Sequence, residues 1–193
     1  MMRKTWLSDL SRREFLQTGA LGAAGLAVGA AASPLLAQAG SGLASEYVST
    51  FSFSLNAPQV IGQVPDGFRQ IIYVKDGTAS GPKINGTILP GGGDWVRVRS
   101  DGVFTLDVRV TMELDDGQLA LMMESGYGVI PQEVFSRILE GEEVDPSEYS
   151  MRVVIRFETA SEQYAWLNQS LFIGVAALGP RIETVSYEIY QIL

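Results

Sequence analysis

The stretch VFTLDVRVTMEL at residues 103–114, followed by DDG at 115–117 and QLALMME at 118–124, decides the fold. Successive side chains of an extended chain point to opposite faces. Phe104, Leu106, Val108, Val110, Met112 and Leu114 therefore share one face, and Thr105, Asp107, Arg109, Thr111 and Glu113 share the other. Asp115-Asp116-Gly117 supplies the turn chemistry that tolerates positive φ and joins antiparallel neighbours. The stretch reads as a long strand, a tight turn and a returning strand.

Outward from this hairpin the same grammar recurs. Tyr47, Phe51, Phe53 and Leu55 alternate with Val48, Thr50, Ser52 and Ser54 to give a first strand, and residues 68–74 give a second. Further strands are predicted over 95–99, 151–159, 171–177 and 182–192, all rich in Val, Ile, Phe and Tyr. Pro65-Asp66-Gly67, Lys75-Asp76-Gly77, Ser100-Asp101-Gly102 and Asn85-Gly86 read as turns. A helix is predicted over 132–139, leading into an acidic loop closed by Pro146, and a second helical turn over 161–168. Eight or more strands with hairpin turns and one or two short helices predict an all-β fold. A single antiparallel β-barrel is favoured over a sandwich, because long strands in an open sheet leave edges to protect.

The first residues have a different character. Arg12-Arg13 stand before Phe15-Leu16, an uncharged run rich in Ala and Gly follows, and Ala37-Gln38-Ala39 offers a small-residue cleavage site. This is the pattern of a cleavable twin-arginine export signal over residues 1–39, too short in its apolar run for a comfortable membrane span. It predicts a periplasmic or secreted domain of residues 40–193 that meets the membrane only transiently, during export.

Composition narrows the chemistry. The whole chain carries 14 basic and 22 acidic residues, net −8, and removal of residues 1–39 leaves 10 and 20, net −10. Such a balance argues against nucleic acid and anionic membrane as partners. The chain has no His and no Cys, which excludes Ser-His-Asp and thiolate catalysis and the common zinc, iron–sulfur and blue-copper sites. No metal site and no cofactor are predicted. Gly91-Gly92-Gly93 lacks the Lys-Ser/Thr of a phosphate loop and reads as a turn where backbone passes close to something. Asp115-Asp116-Gly117 lacks the spacing of a calcium loop.

Arg is preferred to Lys by eight to two in residues 40–193. The planar guanidinium fork suits carboxylates and other planar oxygen groups. Arg97 and Arg99, Arg109 with Asp107, and Arg152 and Arg156 with Glu158 lie on predicted strands. Their faces either line a barrel cavity or form solvated cross-strand ion pairs.

Several segments carry a resemblance. They are Gly67-Phe68-Arg69, Gly81-Pro82-Lys83 with Gly86, and Leu89-Pro90-Gly91-Gly92-Gly93-Asp94-Trp95. After them come Asp101-Gly102, Leu106-Asp107-Val108-Arg109, Asp115-Asp116-Gly117, Arg152 with Arg156-Phe157-Glu158-Thr159, and Tyr164-Ala165-Trp166-Leu167-Asn168. In this order, from Phe51 to the end, the chain resembles the domain of unknown function (DUF) 3237 family. The resemblance implies a single antiparallel β-barrel in a family with no established general activity. It places the family's charged and aromatic signature on Arg69, Asp94, Trp95, Asp107, Arg109, Arg152, Arg156, Glu158, Tyr164, Trp166 and Asn168. Met151 with Val153-Val154-Ile155, and Leu114 before the turn, depart from the family's usual residues.

Three readings of function follow. In the first, the barrel binds a small molecule, anionic or hydroxylated, through Arg69, Trp95, Arg109, Arg152, Arg156, Tyr164, Trp166 and Asn168. In the second, it is a cofactor-free lyase, isomerase or cyclase, in which Asp94, Asp107 or Glu158 exchanges a proton while an Arg steadies the developing oxyanion. In the third, the charged faces serve structure or interaction alone. No signal in the sequence selects a monomer or a dimer.

Overall fold

The computed structural model describes residues 42–193. The predicted export signal lies outside the described residues. The long strands are β1 (Ser45–Leu55), β3 (Gly67–Ser80), β7 (Phe104–Leu114), β8 (Leu119–Val129), β9 (Ser150–Thr159), β10 (Phe172–Leu178) and β11 (Thr184–Ile192). Shorter ones are β2 (Gln59–Val64), β4 (Gly86–Ile88), β5 (Gly93–Asp94) and β6 (Arg97–Val98). The sheet runs β1-β11-β10-β9-β8-β7-β4-β3 and closes where β3 pairs with β1, every pairing antiparallel. β4, β5 and β6 together act as one interrupted strand between β3 and β7. The result is the expected barrel, closed by eight strands; β2 extends β3 as a hairpin arm.

Closure disposes of the edges, and the apolar faces fill the interior, as an eight-stranded barrel requires. Phe51, Phe157 and Phe172 meet edge to face with centroids 6.1 and 5.2 Å apart. Val110, Met112, Met122, Val153, Ile155 and Ile189 complete the packing and are buried. One end of the barrel is plugged by residues 161–169, whose Tyr164 and Leu167 are buried. At the other end lies α1 (Gln132–Glu140), which presents Val134 and Ile138 inward and stops at Gly141 in a left-handed C-cap.

The structure corrects four local expectations. Lys75-Asp76-Gly77 is no turn but part of the continuous strand β3, because Gly77 runs against β1: a Cβ there would stand 2.5 Å from the Ser52 carbonyl oxygen. Asn85-Gly86 does not turn the chain. Asn85 instead clasps Gly81 through its amide, and Gly86 begins β4. Tyr47 leaves the face of Phe51 and Phe53 through a register shift between Tyr47 and Ser49, which turns Val48 inward. The strand expected to end at Glu124 continues to Val129 through Ser125-Gly126. The Gly91-Gly92-Gly93 segment behaves as read: a Cβ on Gly92 would lie 2.4 Å from the Arg109 carbonyl oxygen.

Candidate active site

The register of the central hairpin determines what faces inward. Asp94 on β5 and Glu124 on β8 both pair with Val108 on β7. The two carboxyl groups thus flank Val108 at one level of the barrel wall and point to its interior. Tyr187 on β11 joins them from the opposite wall, in the room left by Gly174, where a Cβ would stand 3.3 Å from the Tyr187 ring.

Asp94 lines a cavity of about 70 Å³ at the α1 end of the barrel. Its other walls are nearly all apolar: Phe53, Ile72, Val96, Leu106, Phe135, Met151 and Ile182 among others, with Gln70 and Tyr187 as the remaining polar side chains. No Arg or Lys lines it. Asp94 is half-buried in this wall, and one carboxylate oxygen accepts the Asp107 backbone N–H at 3.0 Å. Burial in these surroundings pushes its pKa up to about 7, with the nearby Asp107 charge adding to the rise and the Asp107 backbone N–H and Arg69 opposing it.

Glu124 is enclosed further, at 3% exposure. Neither of its oxygens meets hydrogen-bond geometry with any group. Burial first, and then the Asp94 charge, raise its pKa to about 8, while the Tyr187 hydroxyl nearby lowers it. Tyr187 is pushed well above the ordinary phenol range by burial and by both carboxylates. Near neutral pH the interior therefore favours a protonated Glu124 and a neutral tyrosine, and leaves Asp94 able to exist in either form. Such a group can accept or release a proton with little driving force either way.

The mouth of the cavity is strained. Arg181 and Ile182 adopt φ of 55° and 56°, a region rarely occupied by a β-branched residue. Ile182 lines the cavity, and the Arg181 guanidinium packs against Gly141 at the C-terminus of α1. Phe135 of α1 packs on Phe104 at a centroid distance of 5.2 Å. Strained backbone persists where surrounding structure holds it, often at ligand sites.

The residues singled out from sequence are distributed over three places. Asp94 alone points into the cavity. Arg69, Trp95, Asp107 and Arg109 stand just behind it on the outer surface: Arg69 donates to the Trp95 carbonyl oxygen, Arg109 pairs with Asp107 at 3.3 Å, and its guanidinium lies 5.9 Å from the Trp95 ring centroid. Arg152, Arg156 and Glu158 are exposed on the outer face of β9. The charged strand faces, left open by the sequence, thus turn outward. Tyr164, Trp166 and Asn168 belong to the plug at the far end. Tyr164 donates to Asp115 at 2.7 Å, Trp166 packs on Phe172, and the Asn168 amide clasps both backbone groups of Thr159.

Glu124 and Tyr187 escaped the sequence reading. The signal for Glu124 was present, since the three-residue Asp115-Asp116-Gly117 turn makes Leu114 and Gln118 neighbours and so sets Glu124 opposite Val108. Tyr187 carried none, as its alternation with Val185 and Ile189 matches any core tyrosine. Among the described residues no group of three or more metal-binding side chains comes together.

Comparison with known proteins agrees with this architecture. The model of the family described as "Protein of unknown function (DUF3237)" matches residues 43–192. A UPF0311 protein of Clostridium acetobutylicum is 36% identical over 148 residues, which span 76% of this chain and 92% of that protein. The crystal structure of a conserved protein of unknown function from Rhodopseudomonas palustris superposes with a TM-score of 0.74 at 31% identity, covering 79% of this chain and 99% of the other. A crystal structure described as an enzyme from Penicillium herquei shares the fold at a TM-score of 0.58 and 21% identity, over 78% of this chain and 95% of the other. With its closed barrel and a match spanning nearly all the described residues, the chain belongs to the DUF3237 family.

Proposed function

We propose that this chain is an exported, cofactor-free acid–base protein that takes a small, largely apolar, neutral molecule into its barrel and exchanges a proton with it through Asp94. The observation that carries the reading is a carboxyl group, held near neutrality, on the wall of an otherwise apolar cavity. Ligand sites are typically apolar with a few convergent polar groups, and perturbed acids in such clefts mark candidate catalysts. An anion would find no cation in this cavity, so a hydroxyl or carbonyl group is the recognition element that fits. Gln70 offers an amide to orient it, and protonated Asp94 a proton to donate.

In the forward step the Asp94 carboxyl protonates a ligand oxygen, and the resulting carboxylate recovers a proton from an adjacent carbon or hydroxyl. This is isomerase, lyase or cyclase chemistry. Glu124 stays protonated behind it and spares the site a second negative charge. Occurrence of an enzyme on this fold in Penicillium herquei is compatible with catalysis. The paired Arg12-Arg13 and the Ala37-Gln38-Ala39 site support export; N-terminal sequencing of the protein from a periplasmic fraction should begin close to Gly40.

The functional test is ligand-observed NMR in D2O with a panel of small cyclic ketones and phenols. Saturation transfer to the ligand is expected from wild type and from Asp94→Asn, with deuterium exchange beside the ketone carbonyl for wild type only. A cavity-filling Leu106→Phe variant should lose both. Transfer that survives Leu106→Phe unchanged, or exchange that survives Asp94→Asn, removes the proposal.

A further inference from the structure

β8 is unusual in having an apolar outer face. Its outward residues are Leu119, Leu121, Met123, Ser125, Tyr127 and Val129, and Leu119, Tyr127 and Val129 are 52, 58 and 53% exposed. Val154 on β9, 41% exposed, extends the stripe sideways. Contiguous exposed apolar surface rimmed by charge marks an interaction site. The rim here is ordered. On β7 it reads Thr105, Asp107, Arg109, Thr111; on β9, Arg152, Val154, Arg156, Glu158.

We propose that this face binds a second copy of the same chain about a two-fold axis. The registers place Tyr127 beside Thr105 and Arg152, Ser125 beside Asp107 and Val154, Met123 beside Arg109 and Arg156, and Leu121 beside Thr111 and Glu158. An axis lying in the face, perpendicular to the strands and passing between Ser125 and Met123, exchanges these levels. Asp107 then meets Arg109 of the second copy, and Arg152 meets its Glu158. Thr105 meets Thr111, and Tyr127 covers Leu121. From the Leu121 level to the Tyr127 level every charged contact pairs opposite signs except Arg156, which meets Val154 and lays its aliphatic stem on it, while Glu113 at the Leu119 level meets no charge.

The alternative axis, parallel to the strands, sets Arg109 against Arg156 and is rejected by like charge. A two-fold contact must be self-complementary in this way. Three strands of about 11 residues, at about 3.3 Å per residue and about 4.8 Å spacing, give each copy a footprint of roughly 500 Å². The total of roughly 1,000 Å² is at the lower limit for a specific interface, and a dissociable dimer is expected. The face lies on the outside of the barrel wall and shares no residue with the cavity lining, so the inference is independent of the proposed chemistry.

Sedimentation velocity of the purified protein over a dilution series tests it. Wild type should pass from dimer to monomer on dilution. Tyr127→Glu, at an exposed position, should be monomeric throughout with an unchanged circular dichroism spectrum. Arg152→Glu opposes Glu158 of the other copy at two symmetric places and should weaken association about tenfold. Adding Glu158→Arg restores opposite signs and should recover the wild-type dimer. A wild type that stays monomeric at every concentration overturns the proposal. A dimer indifferent to Tyr127→Glu overturns it as well, and so does failure of the double reversal to recover association.

Discussion

Replacing Glu124 by Gln is expected to flatten the way stability changes with pH. Glu124 is buried without a hydrogen-bond partner, and burial and the Asp94 charge carry its pKa from 4.5 to about 8. Between these values the folded protein keeps a proton that the unfolded chain has released. Folding therefore takes up a proton in this window, and the slope of stability against pH is negative. The contribution is complete below about pH 4.5, declines as pH rises, and is gone above about pH 8. At about 1.4 kcal/mol per pH unit the full decline is on the order of 5 kcal/mol. Domains of this size are typically stable by about 5–15 kcal/mol, so the loss is large. Asp94 adds a limb of the same sign between 3.8 and about 7. The lowered carboxyls of Asp116, Glu142 and Asp145 act elsewhere, because their stabilisation is lost only as pH falls through the acid range. The glutamine of the Glu124→Gln variant needs no proton at any pH and leaves only the Asp94 limb. Its amide is also unpartnered, which lowers the whole curve, so the slopes rather than the heights are compared. Urea midpoints measured from about pH 5 to about pH 9 decide the matter. A wild-type midpoint that is flat or rises across the window, or a Glu124→Gln slope equal to wild type, refutes the reasoning.

Three further substitutions probe the frame. Gly92→Ala forces a methyl to within 2.4 Å of the Arg109 carbonyl oxygen and should cost about 1–3 kcal/mol in chemical denaturation; a neutral result would show that β7 yields. Leu167→Ala, in the fully buried plug, should cost about 2–5 kcal/mol, and a loss below about 1 kcal/mol would mean the plug is not part of the core. Ile182→Gly removes a cavity-lining side chain but also releases backbone strain on the order of 1–3 kcal/mol. The two effects oppose, so thermal unfolding should register a change within about 1 kcal/mol of wild type, whereas the ordinary cost of an isoleucine deletion would argue that the positive φ is not strained.

The barrel was legible because its decisive hairpin has a strict period of two and an Asp-Gly turn. Both are local, and closure follows from the need to hide long edges. The errors lie where a tertiary contact outweighs local chemistry. Asp76-Gly77 carries a good turn signal, yet its glycine is used to let β1 approach. Ser125-Gly126 reads as a strand end, yet Gly126 is an inward position where a Cβ would stand 2.2 Å from the Arg152 carbonyl oxygen. That second misreading hid the site. Ending the strand at Glu124 left the carboxyl at a strand end, whereas the continuation to Val129 sets it within the barrel wall, across Val108 from Asp94. The excess of Arg over Lys was a true signal whose direction alternation could not assign, since a strand with one apolar face is compatible with its charges inside a wide barrel or outside a narrow one. Eight strands leave an interior that side chains fill, and the apolar faces were large enough to fill it. The arginines were then committed to the outer wall, where Arg109 and Arg152 flank an apolar stripe that solvation alone does not explain. An outer face built only for water would alternate charge along β8 as it does along β7 and β9. The exception on β8, and the fit of its rim under a two-fold axis, are what the proposed association rests on, and the few acids inside are what the proposed proton chemistry rests on.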